Sequence, residues 1–182
     1  PPRSTLFPYT TLFRSIGLFI VQVLRSNGCG TVIAVDTDPA KRKLAVLSGA
    51  DHAFDPDDKE LKKIVQDLTG ERGADHVFEA VGSEDTVCLS VELVRKGGTV
   101  TLVGNLARWV KLPLQSVVTR QIKLQGSCAI CGEYEAVLDM MARGAVDTGT
   151  VLSAEAPLKE GDEWFRRLYN KEPGLIKVVL IP

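Results

Sequence analysis

TVIAVD at residues 31–36, followed at once by DPAKRKLAVLSG at 38–49, decides the fold class. Thr31–Val35 is a β-branched, apolar run of strand length, and it ends on an acid, Asp36. Asp38 stands where a carboxylate caps a helix, Pro39 where a proline ring suits the first helical position, and Gly49 where a helix stops. A buried strand passing within two residues into a capped helix is half of a βαβ unit.

The same alternation extends in both directions. Upstream, SIGLFIVQVLRSNG (15–28) is an apolar helix stopped by Asn27 and Gly28. Downstream, His52–Phe54 suggests a short strand, and DDKELKKIVQDLTG (57–70) an amphipathic helix ending at Gly70. DHVFEAVG (75–82) is a strand, SEDTVCLSVELVRKGG (83–98) a helix and GGTVTLVGN (97–105) a strong strand. Short connections between alternating strands and helices predict a Rossmann-type α/β fold, a doubly wound parallel sheet with helices on both faces. The last third is less regular. PLQSVVTRQ (113–121), EYEAVLDMMARG (133–144) and KEGDEWFRRLYN (159–170) are expected helices, with Trp164 and Phe165 as packing residues. QIKLQGSCAI (121–130) and LIKVVLIP (175–182) are expected strands.

Composition limits the function classes. The 182 residues carry 22 Lys+Arg against 23 Asp+Glu, a net charge of −1, which speaks against a nucleic-acid partner bound by counterion release. No apolar run reaches the ~18 residues of a membrane-spanning helix, so no membrane partner is expected. Four cysteines without a recognisable secretory signal point to the cytoplasm. The charge is uneven: residues 1–31 hold Arg3, Arg14 and Arg25 but no acid.

Ligands of open parallel sheets sit beyond the carboxyl ends of the strands. Asp36 at such an end can accept two hydrogen bonds from the vicinal hydroxyls of an adenosine ribose and repel a 2′-phosphate, which favours NAD over NADP. It follows Gly17 by 19 residues, near the offset between a glycine fingerprint and its ribose acid. Lys41 is within reach of the same ribose. Ala80-Val81-Gly82 and Val103-Gly104-Asn105 end two further strands with small residues, which let a ligand approach the backbone. Against this stands the expected pyrophosphate turn, where the two earlier fingerprint glycines are replaced by Leu12 and Arg14. Leu12 would resist a positive φ, and the Arg14 side chain would intrude on the pyrophosphate. Pro8 falls inside what should be a central strand, where it cannot donate to the ladder. The first strand and glycine turn therefore read as replaced or damaged.

Catalytic chemistry is sparse. His52 and His76 are lone histidines at strand starts, which fits a structural role. Tyr134 and Tyr169 are followed four residues later by Leu138 and Pro173, so a Tyr-xxx-Lys relay is absent. Cys128 and Cys131 have CxxC spacing without a second pair. No catalytic or metal-ligating residue is assigned.

VIAVDTDPAKRKLA, DHVFEAVG, GGTVTLVGN, RQIKLQGSCAICGEY and EPGLIKVVL, in this order and spacing, make residues 16–182 resemble the C-terminal half of zinc-dependent medium-chain dehydrogenases, especially the sorbitol (L-iditol) and threonine dehydrogenase branch. The resemblance implies an NAD-binding Rossmann domain over 16–150 and a C-terminal segment, 151–182, returning to a catalytic domain. It puts Ile16, Gly17, Asp36, Lys41, Val81, Gly82, Val103, Gly104 and Asn105 at the cofactor, Ser127 to Ala129 near the nicotinamide, and Lys177 toward the phosphates. Sorbitol dehydrogenases carry an arginine at the position of Ala129. The implied activity is hydride transfer between a secondary alcohol or polyol and NAD. Zinc would come from an N-terminal domain of the parent enzyme, and a homo-oligomer would pair through the strand at Gln121–Ser127. Residues 5–15, TLFPYTTLFRS, resemble a translated sequencing adapter, so 1–15 is expected to be a foreign leader and the chain an inactive fragment. Two alternatives remain: a stand-alone NAD-sensing module, and a zinc-free quinone reductase-like member, against which Asp36 speaks.

Overall fold

The computed structural model describes residues 6–9, by backbone alone, together with 15–170 and 172–182. Six parallel strands form the main sheet: β1 (Leu6–Tyr9), β2 (Ile33–Val35), β3 (His52–Phe54), β4 (Ala74–Glu79), β5 (Val94–Leu102) and β6 (Lys123–Gly126). Their order is β3-β2-β1-β4-β5-β6, the doubly wound arrangement expected from the alternation.

Val32–Val35 is apolar at every position because both faces of β2 are covered. Ile33 and Val35 join a core with Leu61 and Val65 of α3 (Leu61–Leu68) and Val91 of α4 (Glu84–Leu93). Val32 and Ala34 join the opposite core with Leu18, Val21 and Leu24 of α1 (Ile16–Ser26) and Ala45 of α2 (Pro39–Leu47). Each buried Val, Leu or Ile side chain among these contributes about 1.5–3 kcal/mol of transfer free energy. Helix α2 starts as the sequence requires: the Asp38 side chain accepts from Ala40 N at 2.8 Å, with Pro39 in the first turn.

Residues 6–9, within the stretch expected to be a leader, supply the central strand. Pairing with β4 runs from Leu6↔His76 to Tyr9↔Glu79, whereas pairing with β2 is confined to Tyr9↔Val35. Pro8 thus sits within a strand after all, with its ladder to β2 short. Leu12 and Arg14 lie outside the described residues.

Other elements shift from expectation. Helix α4 ends at Leu93, and β5 begins at Val94 rather than Gly97, because Val94 pairs with Ala74 before the register shift in β4. Strand β6 stops at Gly126, leaving 127–133 as loop before α6 (Tyr134–Ala142); α5 is Leu114–Thr119. An unexpected strand, β7 (Leu152–Pro157), pairs in parallel with β8 (Lys177–Ile181) as a second, two-stranded sheet. Between them lies α7 (Gly161–Tyr169). Trp164 is half-buried under the Arg167 guanidinium, 3.9 Å from its ring centre, but Phe165 is 68% exposed and is not a packing residue here.

The C-terminal segment is tied to the Rossmann core at defined points. Val151 is buried among the α1 and α2 residues, and Ile176 packs on the same cluster. Gln22 of α1 donates to the Asp147 carbonyl at 3.1 Å and accepts from Asp147 N at 2.6 Å, a reciprocal clamp between helix and loop.

Candidate functional site

The parallel register aligns one row across the sheet: Phe54, Val35, Tyr9, Glu79, Leu102 and Gly126. The residue after Val35 is Asp36, those after Glu79 are Ala80-Val81-Gly82, those after Leu102 are Val103-Gly104-Asn105, and the one after Gly126 is Ser127. The fold therefore brings most of the expected cofactor residues to one edge, although they are spread over more than ninety positions of sequence. Ile16 and Gly17 open α1, which follows the central strand, Ile16 exposed and Gly17 buried.

Asp36 is 2% exposed and held from several directions. Its N–H donates to the Phe54 carbonyl at 3.1 Å, its Oδ1 accepts from Asp38 N at 2.8 Å, and its carbonyl accepts from Arg42 Nη1 at 2.7 Å. The same guanidinium donates to the Thr37 carbonyl at 3.0 Å and the Asp55 carboxylate at 2.9 Å, bracing the turn that carries Asp36. Lys41, expected at the ribose, is paired 3.9 Å from the Asp38 carboxylate.

At the first turn of α1 the side chain of Ser15 makes no cap, and no acid is present. The amide N–H groups and positive end of the dipole there suit an anion. Helix-start N–H donors after the central strand, with no cap from the Ser15 side chain, and a carboxylate acceptor ending the next strand are what the pyrophosphate and ribose of a dinucleotide require, so these residues fit a nicotinamide dinucleotide.

The β4 and β5 loops are interlocked. Leu106 N donates to the Val81 carbonyl at 3.2 Å and Ala107 N to the Gly82 carbonyl at 2.8 Å. Gly82 has φ +80°, and a Cβ there would lie 2.5 Å from Asn105 N. A Cβ on Gly104 would overlap Gly82 N and Val81. The small residues are thus required first by backbone against backbone.

One residue of this edge escaped the sequence reading. Glu79 is wholly buried, and its carboxylate accepts from Val81 N at 2.9 Å and from Gly82 N at 2.8 and 3.0 Å. Its carbonyl accepts from Val103 N at 2.7 Å and Gly104 N at 3.0 Å. An acid as the last residue of a buried strand was the available signal, the same one used for Asp36.

Farther out, Ser127 N donates to the Leu102 carbonyl at 2.9 Å, and Ala129 is exposed at φ +53°. In the same loop Cys131 N donates to Glu133, which holds that carboxyl below its ordinary range. Lys177, expected near the phosphates, is exposed at the start of β8 opposite Leu152, on the second sheet rather than in the row. His76 Nε2 lies 2.7 Å from Thr101 Oγ1 and its ring stacks on Phe78, while His52 stacks on Phe54. Cavities of about 510 and 440 Å³ open away from this row, the first lined by Arg72, Gly73 and Val94 at the amino ends of β4 and β5. Among the described residues no group of three or more His, Cys, Asp or Glu is arranged to hold a metal, so these residues do not fit zinc. Nor is any helix among them long and apolar enough to cross a membrane.

A family profile described as zinc-binding dehydrogenase matches residues 15–143. The chain belongs to the zinc-binding dehydrogenase family. A sorbitol dehydrogenase of Halalkalibacterium halodurans is 30% identical over 171 residues, covering 92% of this chain and 49% of that protein. The alcohol dehydrogenase TADH of Thermus sp. ATN1 superposes with a TM-score of 0.89 at 26% identity, over 100% of this chain and 52% of its own. A protein of Sinorhizobium meliloti 1021 assigned as a zinc-binding dehydrogenase, solved with NADP, gives 0.83 at 27% identity, over 99% of this chain and 52% of its own. The chain spans about half the length of the curated relatives it matches.

Proposed function

We propose that this chain is the NAD-binding part of a zinc-dependent alcohol or polyol dehydrogenase, working in the cytoplasm. The observation that carries this is the alignment of Asp36, Val81-Gly82 and Val103-Gly104-Asn105 beyond one row of strand ends, beside the uncapped start of α1. In this reading Asp36 accepts from the adenosine ribose hydroxyls and disfavours a 2′-phosphate. The N–H groups at Ile16 and Gly17 face the pyrophosphate, and the Val103–Asn105 loop borders the nicotinamide, with Ser127 and Ala129 beyond it. NAD, when bound, supplies the hydride acceptor for a secondary alcohol. Zinc and its ligands belong to another part of the parent protein, and residues 151–182 return toward that part from the domain formed by 16–150.

Lys41 and Lys177 are assigned supporting places, Lys41 by leaving Asp38 for the ribose and Lys177 by approaching the phosphates. The exposed outer edge of β6 suits self-association through Gln121–Ser127. By itself the chain is expected to be inactive and to bind NAD weakly, since Leu12 and Arg14 replace the turn glycines.

Isothermal calorimetry with NAD and NADP tests the assignment. Weak binding of NAD with still weaker binding of NADP is the expected result. Equal or preferential binding of NADP overturns the role given to Asp36. Tight NAD binding without any dehydrogenase activity favours the sensing module instead.

A further inference from the structure

We infer that Glu79 is the positioning residue of the cofactor edge, a single buried acid that holds both loops on the nicotinamide side in register. The inference rests on the cofactor reading above. Its carboxylate takes the N–H groups of Val81 and Gly82, and its backbone carbonyl takes those of Val103 and Gly104. Four amides from two loops thus converge on one residue at the end of β4. The loops then bond to each other through Leu106 N to the Val81 carbonyl and Ala107 N to the Gly82 carbonyl.

Core packing does not ask for an acid here. Val77 and Val100 already fill the adjacent sheet positions, and burying a carboxylate is unfavourable unless its oxygens are hydrogen-bonded. Glutamine is nearly isosteric but presents one oxygen and an NH₂, which would set a donor against the Gly82 N–H. Glu79→Gln therefore loosens these loops without emptying the core.

The sheet order gives a readout that a purely structural acid would not move. Asp36 follows β2 and the Glu79 loops follow β4 and β5, on opposite sides of central β1. Positioning by Glu79 should matter for the part of the dinucleotide beyond its adenosine, and little for adenosine monophosphate alone.

The test is a nuclear magnetic resonance titration of the ¹⁵N-labelled chain with NAD and, separately, with adenosine monophosphate. In the unmodified chain, NAD should shift the Val81, Gly82, Val103 and Gly104 amides. In Glu79→Gln, NAD affinity should fall on the order of tenfold while adenosine monophosphate affinity stays within about twofold. A folded Glu79→Gln chain with unchanged NAD affinity, or with equal losses for both ligands, overturns the inference. If the variant does not fold, hydrogen exchange on the unmodified chain decides: Val81 and Gly82 amides should exchange as slowly as those of β4, and loop-like exchange overturns it. Absence of NAD-induced shifts anywhere on the strand-end row in the unmodified chain refutes the cofactor reading, and this inference with it.

Discussion

Gly104 lies back to back with Gly82, so close that neither can carry a side chain. A Cβ on Gly104 would overlap the Gly82 nitrogen, and one on Gly82 would meet the backbone of Asn105 and Leu106 at a φ of +80°. Gly104→Ala and Gly82→Ala are each expected to cost about 3 kcal/mol or more, because the clash is with backbone rather than with a side-chain end. Gly126→Ala is the control: nothing lies within 4 Å of its added Cβ, and its φ is not positive. Urea denaturation of the three variants should show two large losses and one near-neutral change.

The Gln22 clamp predicts a stability effect of a different kind. Its amide both donates to and accepts from the Asp147 backbone, and the residue is buried. Gln22→Ala should cost about 1–3 kcal/mol, since it leaves a carbonyl and an N–H without their partner. Gln22→Glu keeps the acceptor but loses the donor to the Asp147 carbonyl, and should also destabilise at neutral pH. Limited proteolysis should then cut more readily between α6 and β7 in both variants. Unchanged cleavage there would mean that the clamp does not hold the loop leading into the C-terminal segment.

The doubly wound sheet was legible because β2 is buried on both faces, which makes Val32–Val35 continuously apolar, and because Asp38, Pro39 and Gly49 mark the ends of α2. Strand β7 was not legible. Its residues Leu152–Pro157 alternate weakly, with Ser153, Ala154 and Ala156 giving little contrast, and it gains its identity only by pairing with β8 twenty-five residues later. Asp36, Gly82 and Gly104 could be singled out as strand-end residues, because a terminal acid or a glycine stands out from an apolar run. The interlock of Gly82 with Gly104 depends on two strands being neighbours in space, and no spacing along the chain expresses it. Phe165 misled for the converse reason: an aromatic on an amphipathic helix implies a covered face, and none of the described residues covers it.

Strand β6 ends the main sheet, pairing with β5 on one side only. An unpaired row of N–H and C=O groups invites a second strand. The chain should therefore migrate as a dimer in light-scattering chromatography at high concentration. Gly126→Pro, at a position whose N–H faces outward because that of Ser127 turns inward to the Leu102 carbonyl, should shift it toward monomer by removing an outer-edge donor and adding a ring. The same mass for both chains would rule out this edge as the contact.

His76 predicts a pH dependence. Burial, reinforced by the charge of Lys123, holds its imidazole below the ordinary value of 6.5. As pH falls, the unfolded chain takes up this proton before the folded one does, so protonation favours unfolding. The contribution of His76 to stability is fully present above about pH 6.5 and is lost as pH drops toward the lowered folded value. His76→Gln retains a polar group opposite Thr101 Oγ1, now 2.7 Å from His76 Nε2, but has no proton to take up. Urea midpoints measured from about pH 7.5 down to about pH 5.5 should fall more steeply for the unmodified chain than for His76→Gln. Parallel slopes would show that His76 is equally easy to protonate in the folded and unfolded chains.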